Sequence, residues 1–235
     1  MRGRAGAQRG CQALSLLLTP PLKHMSTPFP EGSAYSIAAG AIRAIFHGLD
    51  GFDPLPASFY DSSALPGDAR YPPQDTHAAQ AAMLRYFELP TPSGMLDVMY
   101  GQGFKKDRVA GFAVELSTLA AGGDAFSLGV VARAGRELGA HLRTLTQRAV
   151  AGGATLATPL LIVCVGSVWK SWELLKAAFL RAALGAGSPL SAFRLVRLTE
   201  SSAVGAAWQA GVRAGRTDLP LNSAQFLEVL YDHSG

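Results

Sequence analysis

Charge is scarce in this sequence. Only 16% of its 235 residues are Asp, Glu, Lys or Arg, against about a quarter in ordinary globular chains. Cysteine is scarcer still: Cys11 and Cys164 are the only two. Two thiols make neither a disulfide framework nor a thiolate metal centre, and this usage fits a reducing compartment. Long apolar runs are missing too. The longest, Leu156 to Trp169, contains Pro159 and Gly166 and falls short of the roughly 18 residues a membrane-spanning helix needs. No membrane partner is expected. There is no collagen period, no heptad run and no internal repeat.

Common catalytic signatures are also absent. The chain holds no G-x-x-x-x-G-K-[ST] loop, no G-x-S-x-G elbow and no G-x-G-x-x-G turn. His24, His47, His77, His141 and His233 show no i,i+4 pairing and no carboxylate at zinc spacing, so no metal site is expected. No catalytic residue is assigned from pattern.

What is present begins with apolar mass. Hydrophobic residues make up 49% of the chain. That is enough apolar surface to offset chain entropy, and it excludes disorder as the main state. The length fits one large domain or two small ones. The net charge of +4 is unevenly placed. Arg2, Arg4, Arg9 and Lys23 fall in residues 1–30, which contain no acid, leaving 17 basic and 17 acidic residues beyond them. A nucleic-acid partner needs a basic face on the folded body, and the neutral body argues against one.

Residues 1–30 read as a basic leader, expected to be disordered and separate from a folded body at 31–235. The Arg-rich, acid-free composition of residues 1–29 is that of a mitochondrial transit peptide. The alternative is a leader from a different start site or gene boundary. The expected location is the cytoplasm, or the mitochondrion if residues 1–29 act as a transit peptide.

In the body, Ile37, Ala41, Ile45 and Leu49 recur every four residues and predict a helix over Ser33 to Leu49. Asp50 to Gln74, rich in Pro, Gly, Ser and Asp, predicts a long loop. A helix over Asp75 to Phe87 is expected, with Asp75 or Thr76 as N-cap. A short one follows over Ser93 to Tyr100. Lys106 to Ala121 reads as a helix ended by Gly122-Gly123. A long helix over Asp124 to about Val150 presents Leu128, Val131, Leu138 and Leu142 on one side. Leu160 to Val165 predicts a strand buried on both faces. A helix over Val168 to Leu184 follows, striped by Val168, Trp172, Leu175 and Phe179, with Lys170, Glu173 and Lys176 outward. Ala192 to Leu198 alternates like a strand with one wet face. Ser201 to Ala214 predicts a small-residue helix, and Phe226 to Tyr231 a last short helix. Strand–Gly–helix followed by strand–helix is an α/β pattern. Two strands are too few for a stable sheet under this many helices, so part of the sheet is expected to be absent from the chain.

The turn after the first strand carries the most chemistry. Ligands bind beyond the carboxyl ends of strands in open α/β sheets, and the first N–H groups of a helix suit an anion or a polar ligand edge. Gly166 allows close backbone approach there. Ser167 either caps the helix or donates to a ligand. An ordinary strand–helix turn is the plainer alternative. Ser201 to Ala207 either packs a helix closely or makes room for a flat ligand. Glu31, just ahead of a helix, favours the helix dipole or belongs to a polar site at the helix start.

The thirteen-residue run Cys164-Val165-Gly166-Ser167-Val168-Trp169-Lys170-Ser171-Trp172-Glu173-Leu174-Leu175-Lys176 resembles the eukaryotic N-acetylglucosamine kinase family. Four other segments support the resemblance in order. Glu31-Gly32-Ser33-Ala34-Tyr35 is similar to that family's G-D-E-G-S-A-Y. Arg108-Val109-Ala110-Gly111-Phe112 is similar to R-F-A-G-F. Ala134-Gly135-Arg136-Glu137-Leu138-Gly139 is similar to A-G-E-M-L-G, and Ser201-Ser202-Ala203-Val204-Gly205 to S-S-A-L-G. The match runs from about residue 31 to the end.

The resemblance implies the C-terminal lobe of an actin-like, ribonuclease-H-like sugar kinase, helix-rich, with the N-terminal lobe and part of the sheet absent. It implies transfer of the ATP γ-phosphoryl group to the 6-hydroxyl of N-acetyl-D-glucosamine with Mg²⁺, in amino-sugar salvage, and a homodimer for the complete protein. Gly166, Ser167 and Ala110 match nucleotide-contacting positions, and Glu31 a position beside the sugar pocket. Where the family has the sugar-binding Asp, this chain has Pro30, which offers no acceptor side chain. The family's phosphate loops and catalytic aspartate would lie upstream of Glu31. The chain alone is therefore expected to be inactive. The alternative is a non-catalytic truncated form that binds nucleotide or associates with full-length kinase.

Overall fold

The computed structural model describes residues 31–52, 75–216 and 226–234. The predicted leader over 1–30 and most of the predicted loop over 50–74 lie outside these residues. The described chain is a helix-rich α/β fold built on a small mixed sheet.

Helix α1 spans Ala34–Leu49. The Ser33 hydroxyl starts it, accepting from the Ser36 N–H at 3.2 Å, which satisfies a donor that the helix cannot pair internally. Ile37, Ala41 and Ile45 are buried as the periodicity predicts, while Leu49 at the frayed end is 48% exposed. Helix α2 covers His77–Phe87. Thr76 holds its N-cap position without a side-chain bond; Asp75 instead accepts from the His77 N–H at 3.0 Å. A 3-10 turn at Pro92–Gly94 leads into α3, Met95–Tyr100.

Helix α4, Lys106–Ala121, ends at Gly122 and Gly123, the latter at φ 93°. Helix α5, Ala125–Ala151, is capped by Asp124, whose carboxylate accepts from the Ser127 N–H at 2.8 Å. The buried face of α5 differs from the expected stripe. Phe126, Val130, Val131 and Ala134 are buried, whereas Leu128, Leu138 and Leu142 are only partly covered. Small residues set this face. A Cβ on Gly135 or Gly139 would collide with the backbone of α6, Trp172–Ala183. The two helices thus pack nearly backbone to backbone, and the larger leucines are turned to the flanks.

Three strands form the sheet in the order β1–β2–β3. β1 is Leu160–Cys164, β2 Phe193–Leu198 and β3 Leu227–His233. β1 runs parallel to β2, and β3 antiparallel to it. Two expectations are corrected here. The segment predicted as a last short helix over Phe226–Tyr231 is strand β3. FLEVLY is short enough to suit either element, and pairing with β2 decides it. Arg194 bonds Asp232 and Arg197 bonds Glu228 across the register, the sheet counterpart of a helical ion pair. β1, predicted to be buried on both faces, instead has one face partly open, and it is an edge of the sheet among the described strands. Leu160 and Cys164 are buried, but Val163 is 36% and Val165 72% exposed.

Helix α6 covers one sheet face with aromatic rings. Phe179 stands edge-on to Trp172 at 5.4 Å and to Phe193 at 6.5 Å, and Trp172 meets Tyr231 at 5.6 Å. The Lys176 Nζ sits over the Tyr231 ring, 5.2 Å from its centroid. Helix α7, Ser202–Arg213, is the predicted small-residue helix and is largely exposed. One continuous core joins α1, α2, α4, α5, α6 and the sheet. No single helix among the described residues is long and apolar enough to cross a membrane.

Candidate functional site

β1 ends at Cys164, and Gly166 turns the chain at φ 106°, ψ 162°. That backbone region is essentially reserved for glycine. A Cβ built there meets nothing within 4 Å, so the constraint is backbone conformation rather than crowding. The predicted helix does not start at Val168. Ser167–Ser171 forms a 3-10 turn first, and the α-helix begins at Trp172. Ser167 caps nothing: no side-chain cap bond forms at this turn, and the residue is exposed. Ser171 takes a different role. Its hydroxyl donates to the Ser117 hydroxyl on α4 at 3.1 Å, tying the turn to that helix.

A cleft of about 1120 Å³ opens between this turn, α4 and the sheet. Ala110, Val114 and Ser117 of α4 line one side, and Ser167, Lys170 and Trp172 the other. Arg197 and Glu228 close the sheet end, where they pair with each other. Two of the sequence-predicted residues, Ala110 and Ser167, therefore share one cavity. Gly166 adjoins Ser167 and orients the turn. The walls also carry Asp107 and Glu173. No group of three His, Cys, Asp or Glu side chains among the described residues is arranged to hold a metal.

Glu31 lies elsewhere, on two smaller concavities beside α5. Its carboxylate faces His141 Nε2 at 3.4 Å and is 58% exposed. The segment it opens is anchored by a residue the sequence did not single out. Glu137 accepts the Gly32 N–H at 2.7 Å through one oxygen and pairs with Arg133 at 3.2 Å through the other. Gly32 sits at φ 77°, and a Cβ there would lie 2.7 Å from Leu138. The i,i+4 spacing of Arg133 and Glu137 was the available signal. Ser117 offered none, since a serine on a helix flank reads as solvated. The β3 wall, with Glu228, was hidden by the helical reading of its segment.

Cys164 is buried at the end of β1, 2% exposed. Burial pushes its thiol from the ordinary 9.0 up to about 12, so the free thiol stays protonated at neutral pH. No family model matches this sequence.

Proposed function

We propose that this chain is the C-terminal lobe of an actin-like sugar kinase of the N-acetylglucosamine kinase type, and that the cleft between α4 and the 3-10 turn receives the nucleotide. Convergence is the observation that carries the reading. Ala110 and Ser167 belong to separate segments that resemble the family, and both line one cleft. The segments E-G-S-A-Y and A-G-R-E-L-G, also similar to the family's, meet through the Gly32–Glu137 bond across 105 positions.

The cleft suits a nucleotide on several counts. Its volume lies near the upper end of small-molecule sites. The open space beside Gly166 lets a ligand reach the backbone. Lys170 supplies a positive charge on the wall. The Trp172 indole N–H is buried without a partner among the described residues, and a ligand oxygen would satisfy it. A dedicated metal cage does not fit these residues. Mg²⁺ commonly arrives with substrate phosphates and few protein ligands, so it would enter with the nucleotide.

The proposed reaction of the complete kinase is phosphorylation of the 6-hydroxyl of N-acetyl-D-glucosamine. Such a transfer needs a proton acceptor, a phosphate cradle and charge neutralisation. No residue here matches the family's catalytic aspartate, so the chain alone is expected to bind nucleotide without turning over sugar. The proposed location is the cytoplasm.

Titrating Mg-ATP into the folded chain while following tryptophan fluorescence tests this. Saturable binding that Ser167→Phe abolishes supports the reading; a folded chain that ignores nucleotide overturns it. ADP release dependent on N-acetylglucosamine would overturn the inactive status and reopen the search for a base. A second reading, association with full-length kinase, draws on β1, whose outer edge has no strand partner among the described residues. Such an edge accepts a strand from another chain. Co-elution of the chain with full-length kinase tests it, and separate elution at micromolar concentrations counts against it.

A further inference from the structure

We infer that the cleft discriminates amino-purines from oxo-purines, and that the Ser171 hydroxyl oxygen accepts from the 6-amino group of an adenine base. This rests on the reading of the cleft as a nucleotide site and goes beyond it by naming the end of the nucleotide that meets α4. Two hydroxyls carry it. The Ser117 hydroxyl donates to the Ala113 carbonyl at 2.9 Å, one turn back on α4. A carbonyl only accepts, so that bond uses the single proton Ser117 has. Ser171, 3.1 Å from the Ser117 oxygen, is therefore the donor in the second bond. The relay runs from Ser171 to Ser117 to Ala113, and the helix backbone fixes its direction.

A serine oxygen whose proton is engaged can only accept. No bond into the Ser171 oxygen is made by the described residues, and both serines line the cleft. The wall at this point therefore suits a ligand donor and repels a ligand acceptor. Phosphate oxygens are acceptors, so the phosphate tail belongs elsewhere and the base or the ribose faces Ser171. Val114 favours the base. It lies one turn from Ser117 on the same side of α4, lines the cleft and is 64% exposed. An open apolar surface beside one fixed polar group suits a flat ring better than a hydroxyl-rich sugar. Adenine presents an amino donor at its 6-position, where guanine presents an oxygen. Two acceptors brought face to face leave both unpaired, which costs more than the absence of one bond.

Tryptophan-fluorescence titration of the full chain with Mg-ATP and, separately, with magnesium inosine triphosphate tests the inference, since the inosine compound replaces the 6-amino group by an oxygen. ATP should bind about tenfold or more tightly, the scale of a lost hydrogen bond with its acceptor left unpaired. Ser171→Ala should weaken ATP to the level of the inosine compound. Ser117 is a positioning residue that acts through Ser171. Ser117→Ala frees the Ser171 proton to turn into the cleft, so the inosine compound should bind more tightly and the preference should shrink. Ser117→Thr keeps a hydroxyl that can bond the Ala113 carbonyl and should restore the preference. Circular dichroism checks that each variant is folded, and the comparison of the two nucleotides on the wild-type chain needs no variant. Equal affinities on the wild-type chain overturn the inference and leave the nucleotide reading standing. A preference unchanged in Ser171→Ala also overturns it, because the amino group would then be read elsewhere. Binding of neither nucleotide overturns the nucleotide reading and this inference with it.

Discussion

Gly166 and Gly205 show that one residue type does opposite work at two places. Neither has an atom within 4 Å of a built Cβ. Gly166 lies at φ 106°, where alanine is strained, so Gly166→Ala should cost about 1–3 kcal/mol. Gly205 lies inside α7 with open space around it. Gly205→Ala should stabilise by about 0.5–1 kcal/mol, because glycine is entropically costly in a helix. Urea midpoints of the two variants should move in opposite directions. Cys164 makes a pH prediction at the same scale. Its folded pKa is raised above the ordinary value, so the folded state retains the proton longer than the unfolded chain does. The resulting stability is full below 9.0 and declines toward about 12. Wild type should therefore lose more stability than Cys164→Ala over that window, measured by urea denaturation. Equal losses would contradict the assignment.

Among the elements, α5 and α6 are held by absence of side chains as much as by their presence. Gly139→Ala would press a methyl against Ala182 and the Phe179 carbonyl. Backbone does not yield as a flexible side chain does, so a loss of about 1–3 kcal/mol is expected from overpacking. The urea midpoint should fall while the slope stays constant. Phe179 is the opposite case, touching Trp169, Trp172 and Phe193 at once. Phe179→Ala should cost about 3–5 kcal/mol through lost burial and the cavity left behind. The helices themselves were legible because polar caps and glycine stops bracket periodic apolar residues. β3 was not: six apolar-rich residues carry no period long enough to separate strand from helix. Arg194 and Arg197 of β2 resolve it by pairing with Asp232 and Glu228, and no local pattern announces partners so distant in the chain.

For the whole molecule, the core runs without interruption from Tyr35 on α1 to Leu195 on β2. A continuous core predicts one cooperative transition. Fluorescence of Trp169 and Trp172 and far-ultraviolet circular dichroism should give coincident urea curves. Separate curves would mean that the helical layer and the sheet unfold as independent units. The same continuity fixes the cleft, since α4, the 3-10 turn and β3 are positioned by one body. Ser117 and Ser171 pin its two walls together at 3.1 Å. Helix α7 stands largely outside this core, as its exposed residues show.

By itself, the amino-acid order determined the α/β class, six long helices and both parallel strands, through periodicity, caps and glycine punctuation. It also singled out the Gly166–Ser167 turn, because a strand that ends at glycine before a helix is a local pattern. Only the tertiary structure decided that Ala110 and Ser167 line one cleft, that Glu31 lies away from it, and that β1 is an edge among the described strands. Those outcomes depend on which surfaces meet. Close approach of α5 to α6 and the pairing of β3 with β2 are set by contacts between residues far apart in the chain, and local preference carries no record of them.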